Sequence, residues 1–151
     1  DIQGGSLRVW ATPRRGPRDY SVDHVENEEL KLNLGGFAVQ VQELRAQLEP
    51  LLSGRFAIYG APAKLTTMLA AIPMLKLADC VYDDNPEKIG KWTPDSHLII
   101  VHTDKLMNLP EPDYLFLASH NFASEIIPRL RQRGYRGKII VPFPELRVVN
   151  D

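Results

Sequence analysis

The chain has 151 residues, 44% hydrophobic and 25% charged, which suits one packed domain with an appended piece and excludes a disordered chain. Its formal net charge of -1 argues against a nucleic-acid binder, and no apolar run approaches membrane-spanning length. Cys80 is the only cysteine, which excludes an internal disulfide and a cysteine-cluster zinc site.

That thiol lies in an apolar run with Ala78 and Val81 and reads as a buried structural group rather than a nucleophile. A reducing cytoplasmic setting fits it. No signal-peptide pattern opens the chain. It begins Asp1-Ile2-Gln3-Gly4-Gly5-Ser6, without a Met, and is read as a piece of a longer protein.

In chain order, Leu7-Arg8-Val9-Trp10-Ala11 reads as a short strand whose sheet belongs to an upstream domain, because a strand this short cannot stand alone. A basic segment punctuated by Pro13, Gly16 and Pro17 follows and reads as a solvated loop. Residues 22–52 carry a helical pattern, with Gly35-Gly36 expected to break or bend it. Pro50 and Ser53-Gly54 close that helix, which is expected to pack on one side of the domain that follows. Residues 1–20 are thus assigned to the tail of an upstream domain, 21–54 to a helical linker, and 55–151 to the main domain.

Past Gly54 the texture alternates. Strands are expected at 56–59, 79–82, 98–101, 114–118 and 138–141, and helices at 64–72, 103–108 and 121–133, with Gly134 stopping the last. The stretch 84–97, with Pro86, Gly90 and Pro94, reads as a long shaped loop. Short continuous apolar strands separated by helices predict an α/β domain with a parallel sheet of about five strands. The expected order is 3-2-1-4-5 with right-handed crossovers.

Such a sheet binds ligands beyond the carboxyl ends of its strands, where strand order reverses. Three polar clusters would line that rim. The first strand ends at Gly60-Ala61-Pro62-Ala63-Lys64, the second at Asp83-Asp84-Asn85-Pro86, and the fourth at Ser119-His120-Asn121-Phe122. Proline suits the first turn of a helix, and a helix N-terminus with Lys64 beside it favours an anion. An ordinary βα turn reads equally well from that stretch alone.

Asp83 lies close to the offset at which an acidic residue meets a ribose in dinucleotide folds, but Gly60 stands alone where that fingerprint needs three glycines. The P-loop pattern fails as well, since Leu65 follows Lys64. Asn121 reads either as a helix cap or as a ligand contact. Asp83 and Asp84 are adjacent on a strand end, so they point in opposite directions and make a poor acid/base pair. No convincing catalytic centre or metal-ligand arrangement emerges.

Taken together, Tyr59-Gly60-Ala61-Pro62-Ala63-Lys64, the run from Asp83 through Lys88, Lys91 and Trp92 to Pro94, and Asp113-Tyr114 leading into Asn121-Phe122 resemble the C-terminal domain of the sugar C-methyltransferase family. Gly4-Gly5-Ser6-Leu7-Arg8-Val9 also resembles the phrase that closes that family's central domain. The resemblance covers nearly the whole chain and implies a Rossmann-like domain. It implies a three-part enzyme: an N-terminal zinc-binding segment, a central domain binding S-adenosylmethionine, and this C-terminal domain. The implied reaction methylates a carbon beside a ketone in a nucleotide-linked deoxysugar, with the base and the cofactor site upstream of Asp1.

The resemblance further implies a substrate-binding rim of Gly60, Ala61, Pro62, Lys64, Asp83, Lys88, His120, Asn121 and Phe122, with Lys64 as the diphosphate partner. It implies no catalytic residue, no metal and no cofactor within this chain. The partners implied are the nucleotide-sugar and the upstream methyltransferase domain, with neither nucleic acid nor membrane. Two departures stand out. Leu65 replaces a usual glycine, and His120 replaces a usual tryptophan. They bear on substrate identity, so that an acceptor other than the usual deoxysugar stays open. The alternative reading is a non-catalytic nucleotide-binding or interaction module with the same fold; a stand-alone NAD-dependent oxidoreductase is disfavoured by the missing glycines.

Overall fold

The computed structural model describes residues 20–31, 34–107 and 112–151. The expected strand at 7–11 and the basic segment after it lie outside these. The described residues divide into two compact units between Gln40 and Val41. Helix α1 (Tyr20–Leu30) belongs to the first, and helix α2 (Leu34–Leu48) runs across the division. The expected break does not fall at Gly35-Gly36. Both glycines lie inside the first turn of α2, where their conformational cost is smallest, and α1 has already ended at Leu30.

The second unit is built on a six-stranded sheet. In chain order its strands are β1 (Phe56–Tyr59), β2 (Val81–Asp83), β3 (Ile100–His102), β4 (Tyr114–Leu117), β5 (Lys138–Val141) and β6 (Arg147–Val149). They lie in the order β3-β2-β1-β4-β5-β6. The first five are parallel, in registers such as Ile58 opposite Val81 and Ile58 opposite Phe116. The expected 3-2-1-4-5 order is therefore observed, with β6 added antiparallel to β5. Beyond β3, residues 90–93 fold back against 98–100, with the Ile100 amide donating to the Lys91 carbonyl and the Gly90 amide to the Ile100 carbonyl. That return covers an edge which would otherwise expose unpaired backbone groups.

Strand alternation builds two cores. Phe56 and Ile58 face one side, with Leu48 from the end of α2, Leu65 and Leu69 from helix α3 (Lys64–Ala71), and Phe116 and Ile140. Ala57 and Tyr59 face the other, with Leu106, Leu115, Leu117 and Ile139, and with Ile126 and Leu130 from helix α4 (Ala123–Gln132). Each fully buried aliphatic side chain stabilises the fold by about 1.5–3 kcal/mol. The end of α2 packs on the sheet as expected: Leu48 is fully buried, and Arg45 Nε donates to the Ala71 carbonyl at 2.6 Å.

Helix α4 stops where the sequence expects. Gly134 takes φ +98°, a conformation open to glycine, and the Tyr135 amide closes the end on the Leu130 carbonyl at 3.0 Å. Its interior, however, contains Pro128. Proline has no N–H to give to the Ser124 carbonyl one turn earlier, and its ring crowds that carbonyl. Pro128 is exposed, so no packing requires it. Pro128→Ala is expected to raise unfolding stability by about 1–3 kcal/mol, read from urea or thermal melts. Unchanged or lower stability would show that the helix has adapted to the proline.

Candidate functional site

Between β1 and β4 the strand order reverses, and there the two chains leave the sheet in opposite directions. Gly60 ends β1 with φ +89°, and a Cβ at this position would overlap Ser119 Oγ and come within 2.9 Å of Ser119 Cβ. Only glycine allows both the turn and the approach of β1 to the β4 loop. The Ala118 amide donates to the Tyr59 carbonyl at 3.0 Å, and the Gly60 amide to the Tyr82 carbonyl at 2.7 Å. The three rim clusters expected from the sequence are therefore neighbours.

Asp83 joins two of them. Its Oδ2 accepts the Ala61 amide at 2.7 Å and its Oδ1 the Asn85 amide at 2.8 Å. Lys88 Nζ, 3.3 Å from Asp83 Oδ2, also donates to the Ala61 carbonyl at 2.9 Å. Asp83 and Lys88 thus neutralise each other while holding the turn at Ala61. On the other side of the turn, Lys64 Nζ donates to Asn121 Oδ1 at 2.9 Å. Asn121 is therefore not the cap of α4. Residues His120–Phe122 form a 3-10 turn, and Phe122 precedes the helix without a side-chain cap. Pro62 directs the chain into α3, with its carbonyl accepting the Leu65 amide at 2.9 Å. Leu65 is buried in the core, so its side chain does not crowd the rim.

A cleft of about 410 Å³ opens at this junction, lined by Tyr59, Gly60, Asp83, Asp84, Ser119, Phe122, Glu125, Ile126 and Arg129. Of the residues singled out from the sequence, Gly60, Asp83 and Phe122 line it. Ala61 and Lys88 are tied to Asp83 at its edge, and Lys64, Asn121 and His120 form a separate cluster. The sequence reading missed Glu125, Ile126 and Arg129, and it quoted Tyr59, Asp84 and Ser119 at the rim without assigning them a binding role. A signal was available. Phe122, Glu125, Ile126 and Arg129 recur at three and four, which puts them on one face of a helix.

Asp84 points away from Asp83, as strand alternation requires. Arg129 Nη2 donates to Asp84 Oδ2 at 2.9 Å and to the Tyr59 hydroxyl at 3.0 Å. The Tyr59 hydroxyl in turn lies 3.3 Å from Asp84 Oδ2. Thr103 Oγ1 bonds Asp84 Oδ1, and Arg133 Nη1 donates to Thr103 Oγ1 at 3.1 Å. Burial, then the charge of Asp84, push the Tyr59 phenol above its ordinary pKa, so it stays a neutral hydroxyl. Cys80 is also pushed up by burial and lies outside the cleft.

His120 is half-buried, its ring 5.1 Å from that of Phe143 between centroids, and its Nδ1 is buried without a hydrogen-bond partner. Burial, then the charge of Lys64, lower its pKa. Burial also lowers that of Lys64.

Two outcomes follow from this geometry. Gly60→Ala is expected to cost about 1–2 kcal/mol from the backbone alone, and more through Ser119. The double variant Gly60→Ala/Ser119→Gly should recover only the second part in urea melts. For His120, the unfolded chain takes up its proton more readily than the folded one. Stability is therefore full above 6.5, the ordinary histidine value, and falls as pH drops below it. His120→Gln should lose less stability than the parent between neutral and mildly acidic pH; equal losses would mean that His120 is indifferent to folding.

Comparison with curated proteins gives no match. A family model described as the C-methyltransferase C-terminal domain matches residues 1–144. That range takes in every cluster of the rim and the five parallel strands that carry them. The chain belongs to the C-methyltransferase C-terminal domain family, and so to part of a C-methyltransferase.

Proposed function

We propose that this domain binds the acceptor of an S-adenosylmethionine-dependent C-methyltransferase, and that the acceptor is a nucleotide-linked keto-deoxysugar. The observation that carries the reading is the difference between the rim cations. Lys88 is matched by Asp83 and Arg129 by Asp84. Lys64 has no carboxylate partner among the described residues and donates to the neutral Asn121 amide. Its ammonium carries three donors, so two remain to meet a diphosphate at the carboxyl edge of the sheet.

In this reading the α-proton of the keto-sugar is removed, and the resulting enolate takes the methyl group, on the upstream domain. S-adenosylmethionine supplies that electrophilic methyl group. Among the described residues no three His, Cys, Asp or Glu side chains gather as metal ligands. Following the family resemblance, the cofactor and the zinc are assigned to upstream segments, this chain alone is inactive, and its work is to hold substrate. Binding energy gathered on the nucleotide, far from the reacting carbon, can then position that carbon. Among the described residues no helix is long and apolar enough to cross a membrane, and the proposed partners are the nucleotide-sugar and the upstream domain.

Calorimetry against thymidine and uridine diphosphates tests the reading. Weak binding is expected, with Lys64→Ala reducing it about tenfold, as befits a lost charge-assisted contact. Absence of heat with either nucleotide, or an unchanged affinity in the variant, would sink it.

A further inference from the structure

His120 is one of the two rim positions at which the sequence departs from the pattern it resembles, and the substrate reading gives it no task. It sits on the 3-10 turn His120–Phe122, next to Asn121, whose Oδ1 accepts the Lys64 ammonium at 2.9 Å. One short turn thus sets an imidazole beside the rim cation that has no carboxylate partner among the described residues. Phe143 packs against the ring, with centroids 5.1 Å apart and planes inclined at 57°.

The two ring nitrogens differ. Nδ1 is buried without a hydrogen-bond partner, and Nε2, which no described residue bonds, is the nitrogen left open. A neutral imidazole shares one proton between two nitrogens, whereas the charged ring carries a donor on each. The groups around it come from four elements. Lys64 opens α3, the Ala118 carbonyl follows β4, Asn121 shares the turn, and Phe143 lies in the loop after β5. Of these Lys64 alone is charged. No carboxylate among the described residues acts on the ring, and Glu145, further along the Phe143 loop, is exposed and exerts no such effect. Burial and the Lys64 charge hold the proton off, while the Ala118 carbonyl favours it.

An anion at Lys64 reverses that balance. Its negative charge offsets the ammonium that the ring feels, and at short range in a partly desolvated position an opposite charge favours the protonated imidazole. The imidazolium then stands as a second cation beside the first, with charge-assisted donors that neutral imidazole lacks.

We infer that His120 is a proton-linked second cation of the anion position: phosphates bound at Lys64 draw a proton from solvent onto the imidazole, and the domain binds its acceptor more tightly as pH falls from alkaline to mildly acidic. The inference rests on the substrate reading for the identity of the anion and adds a pH control to that site. A proton held by the complex and not by the free chain is taken up on binding. Affinity therefore climbs as pH falls through the titration of the complex and levels off once the free chain is protonated too. A single proton limits the slope to about tenfold per pH unit.

Calorimetry with thymidine- and uridine-diphosphate glucose reads this linkage, since both phosphates of such a diester keep the same charge throughout that pH range. Repeating the titration in buffers of different ionisation enthalpy counts the protons. Uptake of up to about one proton is expected, with affinity rising severalfold toward mildly acidic pH. His120→Gln should bind without uptake and with a flat pH profile. The imidazole resonances of the free chain provide an arm that needs no ligand: His120 should titrate at higher pH in Lys64→Met than in the parent. Binding without proton uptake, an equal pH dependence in His120→Gln, or an unchanged His120 titration in Lys64→Met would overturn the linkage and leave the substrate reading standing. Absence of binding at every pH would remove the substrate reading and this inference with it.

Discussion

The arrangement of the rim depends on the Asp83 carboxylate. An ionised carboxylate has about four acceptor positions, and here the Ala61 amide, the Asn85 amide and the Lys88 ammonium occupy three of them. These bonds fix the turn after β1 to the loop after β2. Without them two backbone donors would have to find water at the edge of the sheet, at a cost of about 1–3 kcal/mol each where burial keeps water out. The same commitment limits what Asp83 can do for a ligand. An acidic residue at this offset from a glycine turn holds a ribose in dinucleotide folds, yet here that carboxylate is an internal brace. Asp84, turned to the opposite side by the strand, is left to shape the cleft.

Strand alternation therefore decides more than the packing of the core. Ile58 and Tyr59 are successive residues, but Ile58 packs beneath α3 while Tyr59 rises on the side of α4. The rim inherits that division. Lys64 stands at the start of the helix on one face, and Arg129 stands on the helix of the other. Gly60 is where the division becomes a cleft, since its missing Cβ lets Ser119 close in and the two outgoing chains then diverge.

Much of this was legible in the sequence because the relevant signals are local. Apolar runs of three or four residues bounded by Gly, Pro and Asp identify β1, β4 and β5, and alternating strand and helix patterns dictate a parallel sheet with its reversal point. The opposed directions of Asp83 and Asp84 also follow from alternation alone. What escaped was set by tertiary contact. Arg147-Val148-Val149 is too short to register as a strand and becomes β6 only by pairing with Ile139–Val141. Asn121 has a good capping side chain, but Lys64, distant in sequence, takes its oxygen. The Tyr59–Asp84–Arg129 group joins three separate elements, and no spacing rule relates them. The Phe122–Arg129 face of α4 was readable from its period, but periodicity shows that the residues share a face and not that the face lines a cleft.

The separation of charge along the rim bears on how one molecule could use both halves. A nucleotide-sugar is itself divided, with two negative phosphates between two neutral, hydroxyl-rich rings. Among the described residues Lys64 has no opposing carboxylate, whereas in the neighbouring cleft Asp83 is matched by Lys88, Asp84 by Arg129, and Glu125 is left over. On the proposed reading, phosphates at Lys64 meet an unmatched cation, while phosphates placed in the cleft would meet Glu125 and leave Lys64 facing a neutral group. The rejected orientation is disfavoured by repulsion as well as by lost attraction, and selectivity built that way does not require tight binding. A domain that holds substrate for chemistry performed elsewhere gains more from fixing orientation than from affinity, because interactions made equally in the ground and transition states do not speed the chemical step.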